Sequence, residues 1–404
     1  MEVQMEKKQV KKSSFGLIFA LMAGYSMIYM DKSMISTAII PIAKSFNLDT
    51  GQTGLIMSFF FLGYSLMQIP GGWLADKIGP KKVLMLSLFL ISVFSFAFGV
   101  VSSLMLFVLI RFFAGVGHAG YPSSCSKSIA DNFPQERRTF IQSLILSTSG
   151  IGGILAFTLG TNLVAMNWRY AYLALGSMFF IAFVLVAIFV PNTVKETNPQ
   201  AEKAPKISFA AIITNRNVLI LCLAMLLLNF LLYGNMSWLP SYLSSKFGLE
   251  IAKVGLLLAV NAIFQTLATL FVGVLLSKVF LGKEKMFIVS ATILSAGLIL
   301  AFVASNNLVL STVLLILISM VSVSAFTAIF TWPHKIFDQS VIGSSIGIIN
   351  TGGTLGGFLA PMILGYLIKS ASGSFVVAFS FMAGASLLCG LTILLVNVNK
   401  EAKN

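Results

Sequence analysis

Runs of apolar residues that hold almost no charge recur along this chain, at Ser87–Val101, Leu104–Ile110, Leu173–Val190, Val218–Leu232, Met286–Ala304 and Ser311–Ser324. Several reach the ~20 residues that a helix needs to cross the hydrocarbon core of a bilayer. A soluble core could not bury that much apolar surface: 57% of the 404 residues are hydrophobic and 10% are charged, where a soluble domain carries roughly 25% charged residues. Helices are implied, because the strands of a membrane barrel would alternate in polarity. The expected fold class is therefore an all-α membrane protein.

The first apolar stretch follows Lys7, Lys8, Lys11 and Lys12 and runs from Phe15 to Ile42 without a small-residue cleavage site. It reads as an uncleaved first span rather than a signal peptide. Cys125, Cys222 and Cys389 stand alone in apolar segments, so no disulfide framework and no metal site is expected, and the three are assigned to packing. A net charge of +14 could suggest nucleic acid if the basic residues formed one patch. Their distribution along the chain fits membrane topology instead.

Apolar windows between loop signals give twelve expected spans: 14–43, 52–73, 83–102, 104–129, 140–164, 170–191, 218–244, 253–277, 286–304, 308–332, 343–368 and 374–397. They fall into an N-terminal six-helix bundle over 14–192, a polar linker over 193–217 and a C-terminal six-helix bundle over 218–397. With the N-terminus inside, nineteen lysines and arginines fall in inside segments and five (Lys44, Arg169, Lys246, Lys253, Lys369) in outside segments. That bias places both termini and the linker in the cytoplasm of a multi-pass protein of the inner or plasma membrane. Lys32, Arg111 and Lys127 fall inside spans or at their ends.

The loop between the second and third spans reads Gly71-Gly72-Trp73-Leu74-Ala75-Asp76-Lys77-Ile78-Gly79-Pro80-Lys81-Lys82. Its glycines allow a tight turn, and Asp76 can cap a helix or pair with a nearby cation. This resembles the cytoplasmic signature G-x-L-a-D-[RK]-x-G-[RK]-[RK] of the major facilitator superfamily. A weaker echo, Gly273 to Lys278 and Gly282 to Lys285, lies in the equivalent loop of the second half, as expected of repeated halves. It lacks the aspartate, so a looser latch is expected there.

Further patches are similar to the anion:cation symporter branch of that superfamily: Tyr29-Met30-Asp31-Lys32-Ser33, Gly63-Tyr64 with Gln68 to Trp73, Phe133-Pro134-Gln135-Glu136-Arg137, and Gly343 to Asn350 continuing to Gly356, Gly357 and Pro361. The resemblance implies a major facilitator fold and import of small organic anions such as sugar acids and carboxylates. It further implies that Arg111 and Lys32 bind the substrate carboxylate and that Asp31 takes part in proton coupling. The chain departs from the sugar-acid importers at two places. His118 stands where they carry a second coupling glutamate, and Lys32 stands where arginine is usual.

Intramembrane charge is independent support, because an ionisable group in lipid costs several kcal/mol and persists mainly where it lines a pathway. Asp31 and Lys32 interrupt the first span, and Arg111 and His118 interrupt the fourth on nearly one face. A structural ion pair of Asp31 with Arg111 is the competing reading. Histidine can carry a proton near neutral pH, so His118 joins Asp31 as a coupling candidate. His334 is placed at the interface.

Tyr29, Tyr64 and Gln68 join Lys32 and Arg111 as candidate substrate contacts. In the second half Asn229, Tyr233, Asn261, Gln265, Trp332, Asn350 and Thr354 complete a polar cavity suited to hydroxyl groups, although each could instead join helices. Gating falls to Gly72, Asp76, Gly79, Lys81, Glu136 and Arg137. No catalytic constellation and no phosphate-binding loop is present in the sequence, so the chain is read as a transporter without enzymatic activity or cofactor. Expected partners are the solute, protons and membrane lipid, with the protein a monomer. Efflux of drugs or an amphipathic metabolite is the alternative function, and a membrane sensor a remote one.

Overall fold

The computed structural model describes residues 2–192, 214–337 and 342–397. Most of the expected linker, 193–213, and the C-terminal Lys400 and Lys403 lie outside the described residues. Within them the chain is helical: α1 (Glu2–Phe46), α2 (Thr50–Ile78), α3 (Pro80–Val100), α4 (Leu104–Asn132), α5 (Gln135–Leu155), a π-helical turn (Ala156–Gly160), α6 (Thr161–Phe189), α7 (Arg216–Phe247), α8 (Ile251–Lys278), α9 (Glu284–Ala304), α10 (Leu308–Thr331), a short α11 (Pro333–Ile336), α12 (Ile342–Ser370) and α13 (Val376–Leu394).

Among the described residues ten stretches are long and apolar enough to cross a membrane, and one of them, Gln135–Phe189, runs for 55 residues. At ~1.5 Å per residue such a stretch would span more than twice a ~30 Å hydrocarbon core, so it must turn. It does so at Asn167, whose extended backbone (φ −166°, ψ 119°) breaks the helix. The Asn167 side chain accepts from the Arg169 amide at 3.0 Å and so restarts the helix beyond the break. Arg169 then donates to the carbonyls of Gly99 and Val101 at the end of α3, at 2.9 and 3.1 Å. This break and the apolar body of α1, which is not among the ten, make the described helices compatible with twelve spans.

Helix starts are set by local chemistry. Ser103, Asn215 and Asn307 each accept an amide from the first turn of the helix that follows. Asp49 and Gln52 cap α2 reciprocally: Asp49 Oδ1 accepts the Gln52 amide at 2.9 Å and Gln52 Oε1 accepts the Asp49 amide at 3.0 Å. Asp49 Oδ2 also meets Lys369 at 2.9 Å. The Lys369 hydrogen bond is the largest cause lowering the Asp49 carboxyl below its usual range, and partial burial opposes it.

Asp49→Ala is therefore expected to cost about 1 kcal/mol at pH 7, the usual value of a cap. Because the folded pKa is depressed, the ionic share is present above the unfolded value of about 3.9 and is lost as pH falls through the folded value. Thermal unfolding of wild type and variant in detergent should converge below about pH 4; a gap that stays constant down to pH 3 contradicts the ionic share.

The helices form two compact units: Met1–Leu48, Phe59–Glu196 and Leu249–Ala259 in one, Asp49–Ser58, Thr197–Gly248 and Val260–Asn404 in the other. The opening turns of α2 thus belong to the second unit and those of α8 to the first. Within the first unit α1 packs on α5, and α3 on α4 and α6. Within the second, α7 packs on α12, and α9 on α10 and α13. Counted in spans, one pairing scheme occurs twice, which is the mark of an internal repeat.

Candidate functional site

The charges that interrupt the first and fourth spans meet inside the first unit. Arg111 Nη1 donates to Asp31 Oδ1 at 3.0 Å and Oδ2 at 3.2 Å. His118 Nε2 lies 2.9 Å from Asp31 Oδ2, at ion-pair distance but outside hydrogen-bond alignment. The seven-residue spacing of Arg111 and His118 is nearly two helical turns, so both project from one face of α4 toward α1. Side-chain exposure is 2% for Asp31 and Arg111 and 0% for His118. Aromatic rings close the box: the Arg111 guanidinium lies 4.4 Å from the Phe60 centroid, and His118 is edge-on to Phe60 and Phe179 at 4.8 and 5.9 Å.

Phe60 reaches this position because α2 and α4 pack backbone to backbone. A Cβ on Gly115 would lie 1.9 Å from the Phe60 carbonyl oxygen, and one on Gly63 would lie 2.1 Å from the Phe112 carbonyl oxygen. Neither position tolerates a side chain without parting the helices. Helices in lipid gain little from apolar burial against one another, so this close approach of small residues is what holds the pair.

Lys32 is adjacent in sequence to Asp31 but placed differently. Its ammonium lies over two rings, 4.4 Å from the Tyr64 centroid and 5.2 Å from the Tyr29 centroid, and the residue is 9% exposed. Among the described residues it has no carboxylate partner, since the carboxylate of Asp31 is committed to Arg111 and His118. Arg111, expected to hold a substrate carboxylate, holds the carboxylate of Asp31, and its Nε is buried without a partner among the described residues. Gln68 is half-buried one turn beyond Tyr64.

In the second unit the expected polar residues behave differently from one another. Asn229 donates to the Met225 carbonyl of its own helix at 2.7 Å and packs beside Gly353 and Gly356 of α12. Thr354 likewise donates within its own helix, to Thr351. Trp332 is buried at the junction of α10 and α11. Asn261 carries a buried side-chain oxygen with no partner among the described residues. Tyr233, Gln265 and Asn350 are half-buried.

On the expected cytoplasmic side, Asp76 in the last turn of α2 meets Lys127 of α4 at 3.2 Å, and Lys127 also lies 4.0 Å from Asp131. Gly79 adopts φ +92°, a left-handed turn suited to glycine, and Lys81 donates to the Ala187 carbonyl at 2.8 Å. Gly72 faces Ser123 of α4. Glu136 and Arg137 are exposed in the first turn of α5.

A family model described as Major Facilitator Superfamily matches residues 21–361 and 236–404. The chain belongs to the major facilitator superfamily. This facilitator is 28% identical to the probable sulfoacetate transporter SauU of Cupriavidus necator, over 95% of this chain and 93% of that protein. It is 25% identical to the probable galactarate/D-glucarate transporter GarP of Escherichia coli K12, over 97% and 96%, and 24% identical to the hexuronate transporter of Bacillus subtilis, over 94% and 93%. Among solved structures, the nucleoside transporter NupG superposes with TM-score 0.79 at 14% identity, covering 95% of this chain and 98% of that one. The D-xylose-proton symporter superposes with TM-score 0.74 at 15% identity, covering 96% and 98%. These likenesses give the fold. The molecule is a multi-pass membrane transporter and not an enzyme.

Three charged residues of this facilitator that form ion pairs were not among the expected site residues. Lys127 is the partner of Asp76, and the signal for it was a lone lysine near the end of the fourth span. In the second half Glu284 pairs with Lys335 and accepts the Gly282 amide at 3.2 Å. The acid missing from the end of the eighth span thus stands at the start of the ninth. A lysine just beyond the tenth answers it, as Lys127 near the end of the fourth answers Asp76.

Proposed function

We propose that the chain is a secondary active transporter that takes up a small organic anion, a sugar acid or carboxylate, together with protons. Lys32 carries this reading. A buried ammonium set over two tyrosine rings, with no carboxylate of its own, is held ready for an anion. The relatives named as transporters of sulfoacetate, galactarate or D-glucarate, and hexuronate support the same solute class. Tyr29, Tyr64 and Gln68 orient the anion at Lys32. In the second half Asn261, with Tyr233, Gln265, Trp332, Asn350, Thr354 and Asn229 around it, reads hydroxyl groups.

Arg111 enters in a second step. Protonation of Asp31, relayed by His118, removes the charge that engages the guanidinium and frees it for the substrate carboxylate, so proton and anion load together. The 14–192 and 218–397 bundles alternate access across the 193–217 linker, with Gly72, Asp76, Gly79, Lys81, Glu136 and Arg137 at the cytoplasmic gate. The protein works as a monomer in the inner or plasma membrane with both termini inside.

The test is uptake into liposomes holding the purified protein under an inward proton gradient, with the acids named above as solutes. Wild type is expected to accumulate at least one of them above equilibrium. Asp31→Asn should lose that uphill accumulation and retain exchange of solute across the membrane. Full accumulation by Asp31→Asn removes that carboxylate from coupling. Failure to bind any of the acids, with protection of cells from amphipathic cations, would establish the efflux reading instead.

A further inference from the structure

A cavity of about 250 Å³ opens at the end of the first unit, lined by Ile78, the Gly79 turn, Lys81 and Lys82 at the start of α3, and Asn192 just past α6. Its charge is not balanced locally. Lys77, Lys81 and Lys82 lie within six residues, and the acid just before them, Asp76, is engaged by Lys127. Lys77 rests on the Trp73 ring at 4.7 Å and Lys81 on a carbonyl, while Lys82 has no partner among the described residues. The start of α3 adds to the positive potential: Gly79 provides no side-chain cap and Pro80 follows it.

An apolar stripe on α2 runs to Lys77, the first of these lysines and the neighbour of Ile78 in the cavity wall. Leu66, Ile69 and Trp73 are 62%, 77% and 60% exposed, and with Lys77 they fall at helical spacing on one face of α2. Acyl chain below and anionic headgroup above would match this sequence of surfaces. A free anion would have no use for the stripe. We infer that this cavity and stripe seat one anionic phospholipid of the cytoplasmic leaflet, its phosphate between Lys81, Lys82 and Asn192 and a chain along Leu66, Ile69 and Trp73. The occupant is a lipid and not the transported solute, so the inference stands apart from the substrate reading, and it rests on the proposed orientation only for the leaflet.

The test uses full-length protein in detergent, titrated with phosphatidylglycerol, phosphatidylcholine or inorganic phosphate, with thermal stability and native mass spectrometry as readouts. Phosphatidylglycerol is expected to bind at least fivefold more tightly than phosphatidylcholine. Lys82→Gln, which breaks no contact of the fold, should lower that preference roughly fivefold, the effect of one interfacial lysine. Lys81→Gln with Lys82→Gln should abolish it. The control Lys278→Gln with Lys283→Gln, of equal charge change in the other half, should keep it. Three results would each overturn the assignment: Lys82→Gln retaining the full preference, the control losing it equally, or inorganic phosphate reproducing the stabilisation.

Discussion

Lys32→Gln is expected to lose anion binding while keeping its fold. In the folded protein the lysine contributes two cation–π contacts of about 0.5–2 kcal/mol each, and these are offset by the cost of holding a charge away from water. Removing it should therefore shift the thermal midpoint little. Removing the countercharge of a desolvated anion is another matter, costing about 2–5 kcal/mol, or roughly 30-fold or more in Kd. Lys32→Arg keeps the charge and should bind more nearly like wild type. Calorimetry with the acid that wild type accumulates decides the matter. Wild-type affinity in a well-folded Lys32→Gln protein would show that the anion goes elsewhere.

Arg111→Ala should act on the fold first. It leaves the Asp31 carboxylate buried in an aromatic box with only His118 beside it, and breaking a buried pair by removing one partner costs about 3–5 kcal/mol. Low expression and a thermal midpoint many degrees down are expected. Asp31→Asn combined with Arg111→Gln removes both charges and should restore most of the lost stability, yet without proton-driven accumulation. The single and double variants together separate the two roles of this arginine. If Arg111→Ala melts like wild type, the carboxylate of Asp31 does not depend on it, and the release of Arg111 by protonation cannot be the coupling step.

The sequence made the helical architecture legible because each span carries its own signal, an uncharged apolar run bounded by polar turns. The Asp76 loop was legible for a similar reason: its glycines, its acid and its lysines are consecutive. What depends on contacts distant in sequence was harder to read. Nothing local tells whether Arg111 faces a ligand or Asp31, eighty residues earlier, and the distances to both carboxylate oxygens are needed to see that the pair is formed. Lys32 beside Asp31 looked like part of the same cluster, yet consecutive residues on a helix point about 100° apart, and one goes to the ion pair while the other goes to the tyrosines. Nor does the sequence tell that the side-chain donors of Asn229 and Thr354 return to their own helices. Glu284 lies inside the second-half echo but not at the place of the missing aspartate, and nothing local tells that Lys335, about fifty residues on, answers it.

The allocation of helix starts bears on how such a chain can be recombined. Residues 49–58 belong by their packing to the second unit, and 249–259 to the first. A hybrid made by joining the two halves of different relatives at the central linker would therefore bring mismatched surfaces together at two places far from the junction. Thr50 shows the size of the problem, since its hydroxyl donates to the Gly365 carbonyl at 2.9 Å and a Cβ on Gly365 would lie 2.4 Å from the Thr50 carbonyl oxygen. Crossovers that transplant 49–58 with the second half, and 249–259 with the first, would keep each of these fitted surfaces with its native counterpart. In lineages where halves have been exchanged, these two short segments would then carry the ancestry of the opposite half.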